Sequence, residues 1–274
     1  MSSLSVTLID VGWGDSILIE SEDARGIRHY ALVDSNDSDK LRSSEIFLKR
    51  HFEKAGLALP GAKPIFELVV LSHAHADHAD GLKTIMQAFG TKKFIYPKST
   101  EWGGLASLIR YANRSVNVGS HQAVDNTNIL PGFGDVTMSV LWPPHDGIDQ
   151  NNENNNSVVL CLALNDVSFV LTGDAEKEVW AQIARDIPPN TRFFKVPHHG
   201  SVNGTFAGGQ PSWLDACPPN AVLGISSHVR PFNHPDREVI ELFENRGRTF
   251  FRTDCHYHIT ISTYGTDVRV QYWH

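Results

Sequence analysis

The chain has 274 residues, 41% of them hydrophobic and 20% charged, with a net charge of −7. These proportions suit one large globular domain over 1–274 and exclude disordered, collagen-like and disulfide-scaffold classes. No apolar run approaches the roughly 18 residues of a membrane-spanning helix, and no basic segment precedes a long apolar one, which predicts a cytoplasmic protein without a membrane partner.

Residues 5–10 alternate polar and apolar, Val11-Gly12-Trp13-Gly14-Asp15 interrupts, and 16–20 resumes, which predicts a hairpin. Its glycines lack the third glycine and following helix of a phosphate loop, so they read as a turn that needs positive φ. Residues 29–34 predict a strand. Leu41, Ile46, Leu48 and Phe52 predict an amphipathic helix over 40–55 that stops at Gly56, and the apolar run 66–71 predicts a buried strand. After a histidine-rich segment come a helix over 80–89, a strand over 93–96, a helix over 105–111 and a strand over 136–142. The polar run 151–156 has no apolar side chain to bury and reads as a loop. Strands over 157–164 and 167–171 join through the Asn165-Asp166 turn. Then follow a helix over 175–187, strands over 193–196 and 221–226, a helix over 235–246, and two or three strands between 249 and 272. Antiparallel strands first, then helices inserted between strands in both halves, predict an α/β (α+β) sandwich of two sheets flanked by helices.

Cysteines 161, 217 and 255 are odd in number and far apart, which suggests neither a disulfide framework nor a thiolate zinc site. The acidic excess, concentrated in 1–191, does not advertise a surface that neutralises phosphates, although metal ions would offset it locally. The unusual residue is histidine, present 14 times.

Its densest cluster is Leu71-Ser72-His73-Ala74-His75-Ala76-Asp77-His78-Ala79-Asp80-Gly81, directly after a buried strand. If the chain stays extended there, side chains 73, 75 and 77 share one side and His78 returns at the helix start. Imidazole nitrogen and carboxylate oxygen are donors that a borderline divalent ion accepts, and small Ala74 and Ala76 leave it room. Four such side chains within six positions outweigh the plainer reading of a solvated polar loop. Other strands end similarly. Asp174 follows 167–171, where a lone carboxylate can bridge two metals or simply cap the next helix. His198 and His199 follow 193–196, and His234 follows 221–226. One pocket at one sheet edge would collect them all.

In that order, HAHADH, TGD, KVPHHGS and NHP resemble the metallo-β-lactamase fold, and most closely the soluble hydrolase domain of ComEC-type competence proteins. Val11-Gly12-Trp13-Gly14-Asp15-Ser16 resembles that branch's opening element, and Asn155-Asn156-Ser157 its polar insert, so the resemblance spans about 5–262. It implies a four-layer αββα sandwich with two divalent metal ions, zinc or manganese, at one edge. Carried over by position, it gives His73 and His75 to the first metal, Asp77 and His78 to the second, and Asp174 to both. His199, with His198 beside it, then completes the second site or holds substrate. Many family members place another histidine ligand before the bridging aspartate; here only His121 and His145 lie in that interval, neither in a recognisable motif. His234 is similar to a late family histidine that serves as ligand or phosphate contact, the alternative being a residue at the helix start ahead of Pro235.

The activity so implied is metal-dependent hydrolysis by hydroxide generated between the metals, with Asp77, Asp174 and His234 catalytic. Cations facing an anionic substrate favour a phosphodiester, as DNA, RNA or nucleotide, and hence a phosphodiesterase or nuclease. Substrate contacts are expected from His198, Lys195, Asn156 and Ser201, although Lys195 and Arg230 also read as solvated surface charges. The alternatives are hydrolysis of a phosphorylcholine ester, lactone or thioester, or a binding module that keeps metal structurally. His256 and His258 read as a surface ladder on a late strand. Trp13 reads as core or as a base-stacking platform.

Overall fold

The computed structural model describes residues 1–37, 41–57, 63–98 and 103–272; Lys40, the expected first residue of the first helix, lies outside them. The apolar run after Phe66 is near-continuous because its strand, Phe66–Val70, is covered on both faces: Leu68 and Val70 point into the core between the two sheets, Val69 and Leu71 into a core under helices.

That strand belongs to an eight-stranded sheet, ordered Val268–Tyr272, Ile259–Thr263, Ser3–Leu8, Ile17–Glu22, Arg28–Val33, Phe66–Val70, Thr91–Pro97, Val118–Val124. The opening hairpin is antiparallel, with Leu8 opposite Ile17, and the last four strands run parallel. A second sheet of six strands follows the order Phe250–Arg252, Val222–Ile225, Thr191–Lys195, Val167–Leu171, Val159–Leu164, Thr137–Trp142, the first four parallel. Helices Ser43–Lys54, Leu82–Phe89 and Gly103–Arg114 lie outside the first sheet, where Leu48, Phe52, Met86, Phe89 and Leu108 share one cluster. Helices Lys177–Ile183 and Arg237–Asn245 lie outside the second, through Val179, Trp180, Val239 and Phe243. The fold is therefore the expected αββα sandwich. Among the described residues no helix is long and apolar enough to cross a membrane.

Three local expectations change. Strand Val118–Val124 gave no signal because its polar middle is half-exposed at a sheet edge. The run 151–156 is not an open loop: Glu153–Asn156 forms a 3-10 turn with Asn154, Asn155 and Asn156 buried. His256 and His258 do not share a strand, since His256 ends the helical turn Thr253–His256 and Tyr257, at φ 56°, turns the chain between them.

What positions chemistry is the parallel part of each sheet. Asp34 and the histidine cluster follow adjacent parallel strands of the first sheet; Asp174, His198-His199 and the 226–236 loop follow adjacent parallel strands of the second. Loops after the carboxyl ends of neighbouring parallel strands meet in one crevice, and both sheets open theirs at the same edge.

Candidate metal centre

The histidine segment does not stay extended. After Val70 the chain bends through 73–74 and enters a short helix, Ala76–Ala79, so Asp77 and His78 arrive from its first turn. The glycine turn holds this segment in place: Asp15 N donates to the Asp77 carbonyl at 3.3 Å, and a Cβ on Gly14, at φ 93°, would collide with that same oxygen. Only glycine permits that approach.

Three of the imidazoles are aimed by a carboxylate or carbonyl behind Nδ1. His78 Nδ1 pairs with Asp34 Oδ2 at 2.8 Å, and Asp34 Oδ1 accepts the Ser72 N–H at 2.7 Å. His199 Nδ1 donates to the Ser226 carbonyl at 2.9 Å, and His198 Nδ1 lies 3.0 Å from Glu176 Oε1. A carboxylate or carbonyl behind a histidine fixes its tautomer and leaves Nε2 to face the site. The Nε2 atoms converge on Asp174 Oδ2, at 3.3 Å from His78 and His199 and 3.9 Å from His73 and His198. Asp77 Oδ2 stands 3.7 Å from both His78 and His199 Nε2, and His75 Nδ1 3.0 Å from His73 Nε2.

These separations fit metal ions. Two donors bound to one tetrahedral zinc at about 2.1 Å lie about 3.4 Å apart. Two donor groups, His73–His78–Asp174 and Asp77–His78–His199, each gather within 4.8 Å. His78 and His199 Nε2 are buried without a hydrogen-bond partner, which an ion would supply.

The electrostatics agree. Burial would raise the Asp174 carboxyl, but His199, His78 and His198 hold it well below the usual carboxylate range. Burial opposes charge on His78 and His199 too, yet Asp174 and the carboxylates beside it raise both, His199 to about 9. Burial and the neighbouring His78 keep His73 neutral, far below the ordinary imidazole value. Without ions, protons on two histidines supply the positive charge.

His198 and His199 are consecutive left-handed residues, at φ 48° and 52°. For side chains other than glycine such backbone costs about 1–3 kcal/mol per residue and persists only where the surroundings impose it. Here they do: His198 N donates to the Gly173 carbonyl at 3.3 Å, and Asp236 N to the Gly200 carbonyl at 2.9 Å.

A cavity of about 460 Å³ opens over the cluster, lined by Trp13, His75, Ala76, Asp77, Asn154, Asp174, His198, Phe232 and His234. His198 and His234 thus stand where substrate contacts were expected; Lys195, Asn156 and Ser201 do not. Lys195, read as a solvated charge or a phosphate contact, is fully buried beneath the site, 2.6 Å from Asp15 Oδ2 and donating to the Gly173 carbonyl at 3.1 Å. Asn156 spends its amide on the Asp149 carbonyl and Glu153 Oε2, and Ser201 Oγ accepts the Gly204 N–H as a helix cap. His121 binds Tyr96 and His145 binds Asp125, both away from the cluster.

Four supporting acids are assigned no role from the sequence. Asp34 ends a parallel strand, the placement that singled out Asp174, and that rule would have found it. Asp15 stands in the opening element Val11-Gly12-Trp13-Gly14-Asp15-Ser16, where the sequence assigns it no role. Glu176 accepts from Asn152 and Asn154, each at 2.9 Å, and Glu153 Oε1 from Ala74 N at 3.2 Å, so the polar insert braces the histidine segment against the Asp174 loop.

A family model described as the metallo-beta-lactamase superfamily matches residues 66–207. ComE operon protein 3 of Bacillus subtilis is 28% identical over 257 residues, 91% of this chain but 32% of that protein. Recombination protein 2 of Haemophilus influenzae is 26% identical over 237 residues, 86% of this chain and 26% of that protein. The chain spans about a third or less of these curated relatives. Among solved structures, the metallo-beta-lactamase fold protein YhfI from Bacillus subtilis superposes with a TM-score of 0.53 at 14% identity, covering 98% of this chain and 100% of that one.

Proposed function

The chain belongs to the metallo-β-lactamase superfamily of metal-dependent hydrolases, and from that premise we propose that it is a phosphodiesterase acting on nucleic acid or nucleotide with two divalent cations, zinc or manganese. The observation that carries this is the convergence of four imidazole Nε2 atoms on Asp174 Oδ2, with Asp77 across from two of them. His73, His75 and Asp174 would hold one cation, and Asp77, His78, His199 and Asp174 the other. His198 reaches the first group from the opposite loop and would take the place of the histidine ligand lacking between the HAHADH motif and Asp174. Bound there, the cations supply an activated water and Lewis-acid stabilisation of charge on the scissile phosphate.

The protein's own groups do the rest. Asp77 is held ionised: burial resists this, but His78 and His199 lower its carboxyl well below the ordinary range. Its carboxylate edge faces the cavity, suited to orienting the attacking water. His234 lines the opposite wall; burial lowers its pKa, so near neutral pH it offers one N–H to a phosphate oxygen or leaving group. The name of the Haemophilus relative supports a nucleic-acid substrate.

The test is elemental analysis of the purified protein together with a panel of single-stranded DNA, RNA, cyclic dinucleotides and a generic phosphodiester, run against Asp77→Ala. We expect about two equivalents of metal and cleavage of at least one phosphodiester that the variant loses. Turnover of carboxylic esters alone, equal activity in the variant, or failure to take up any transition metal would overturn the reading.

A further inference from the structure

Resting on the phosphodiesterase reading, we infer that the aromatic wall at the cavity mouth is a stacking platform for an unpaired nucleobase, which makes single-stranded polynucleotide the substrate. Trp13 comes from the glycine turn, and Phe232 and His234 from the 226–236 loop. Their ring centroids lie 4.7 Å apart for Trp13–Phe232, 5.6 Å for Trp13–His234 and 6.5 Å for Phe232–His234. His234 is within 26° of parallel to Trp13 and 29° to Phe232.

Trp13 and Phe232 belong to none of the hydrophobic clusters among the described residues, and Phe232 keeps 62% of its surface in water. Core packing therefore does not explain Phe232, and Trp13 packs inward only on the site itself, its ring centroid 4.6 Å from that of His199. All three rings line the cavity that holds Asp77, Asp174 and His198. They are fixed relative to those residues, because Asp236 N donates to the Gly200 carbonyl at 2.9 Å and Asp236 Oδ2 accepts the Val202 N–H at 2.7 Å.

The spacing selects the ligand. A guest sandwiched between two rings needs roughly 7 Å between them, twice an aromatic stacking distance. These rings already touch, so they form one wall that presents a face, rather than a cage around a quaternary ammonium. A base lying on such a face while its phosphate reaches the cation site at Asp174 must be unstacked and unpaired, which a single strand allows and a duplex does not. Arg230, exposed two residues from Phe232, adds a cation for a flanking phosphate.

The experiment compares kcat/KM of the metal-loaded protein on a dA pentamer and on an otherwise identical abasic pentamer, in wild type, Phe232→Ala and Phe232→Tyr. Fluorescence anisotropy of cleavage-resistant phosphorothioate versions of both oligomers runs in parallel. Base stacking predicts a wild-type preference of about 10- to 100-fold for the base-bearing oligomer, retained by Phe232→Tyr and reduced to near unity by Phe232→Ala. A wild-type ratio near one, a ratio that survives Phe232→Ala, or faster cleavage of duplex would overturn the inference. So would Phe232-dependent turnover of a phosphorylcholine ester with no base preference. If neither oligomer is cleaved with any metal, the phosphodiesterase reading fails, and the anisotropy ratio alone then decides the platform.

Discussion

Beneath Asp174 the site is built from Asp15, Asp34, His78, Lys195 and His199, none of them exposed, whereas at the mouth Phe232 keeps 62% of its surface in water and His234 shares its ring contacts with a half-buried Trp13. The floor is a set of charges that are tolerable only because they face each other. The mouth is a set of rings outside the hydrophobic clusters, joined to the floor where Trp13 meets His199. The contrast teaches that floor substitutions change what the protein is, through ions and stability, while substitutions of Trp13 and Phe232 at the mouth change what it turns over. Asp174→Ala is the severest test, since it removes the atom on which four imidazoles converge. Turnover should fall by about 10³-fold or more, as when a residue acting within a catalytic unit is lost, and elemental analysis should find both equivalents of metal reduced. A variant with full metal content would show that the floor does not depend on this carboxylate.

Next in size is Lys195→Met. Its ammonium lies 2.6 Å from Asp15 Oδ2 and 3.8 Å from Asp174 Oδ1, with no water contact. Breaking a buried pair from one side costs about 3–5 kcal/mol, chiefly because the other charge is left uncompensated. Denaturant unfolding of the metal-free protein should show that loss, and the double variant Lys195→Met/Asp15→Asn should recover much of it. Strict additivity of the two single losses would mean that the groups do not act as a pair.

The contrast also explains what could be read in advance. That His73, Asp77, His78, Asp174 and His199 gather in one place was legible because donor-type residues recur after strands, and parallel strands deliver such loops to one edge. Two sheets flanked by helices followed from antiparallel strands first and helices inserted between later strands, and the four-layer form from the family resemblance. Lys195 was misread because a charge in sequence carries no mark of burial; the same strand, Thr191–Lys195, delivers it inward opposite Asp15, some 180 residues away in the chain. Asn154, Asn155 and Asn156 looked like solvated loop for a related reason. Their amide N–H groups are buried because Asp149 and Glu153 accept from them locally and Glu176 accepts from Asn154 across 22 residues, pairings that composition does not reveal. The extended geometry drawn for 73–77 failed because helix Ala76–Ala79 starts only five residues after the strand.

A pH titration sharpens the same contrast. Without ions, burial works against charge on His199, but Asp174 and Asp77 still push its pKa up to about 9, and His78 moves in the same direction. Both exceed the unfolded imidazole value of about 6.5, so their stabilisation is complete below that pH; His199's share is lost as pH rises through about 9, and His78's as pH rises through its own raised value. His73, shifted downward, exacts its cost only on the acid side of its unfolded value. With cations bound the imidazoles must be neutral, so acid weakens the site instead. Between pH 6.5 and 9 the chelated protein should therefore lose about 2–3 kcal/mol, while the loaded protein holds or gains. Thermal unfolding at matched ionic strength reads both, and parallel slopes would mean that protons and cations do not compete for these nitrogens. Smaller again is Asp34→Asn, which keeps the shape behind His78 Nδ1 but removes the charge; metal affinity should drop about 10- to 100-fold, measured by competition with a chromogenic chelator. An unchanged affinity would place Asp34 in the fold alone.

The smallest effect isolates backbone from side chain. His198 sits at φ 48° and ψ 50°, where a Cβ is crowded by its own carbonyl, and this strain is separate from its contacts with Glu176 and Asp174. Comparing His198→Ala with His198→Gly removes the imidazole from both variants and leaves only the backbone difference. In a helix or strand glycine would be the less stable of the two, because it loses more freedom on folding. At this position the order should invert, with the glycine variant more stable by about 1 kcal/mol in the metal-free protein. Metal affinity should be lowered alike in both, since both lack the donor. If alanine proves the more stable, the left-handed turn is not strained and the conformation of 198–199 needs no compensation from the loops that clamp it. If glycine wins, part of the fold's stability is spent on turning two adjacent imidazoles toward Asp174, a cost that a purely structural turn in the same place would have no reason to retain.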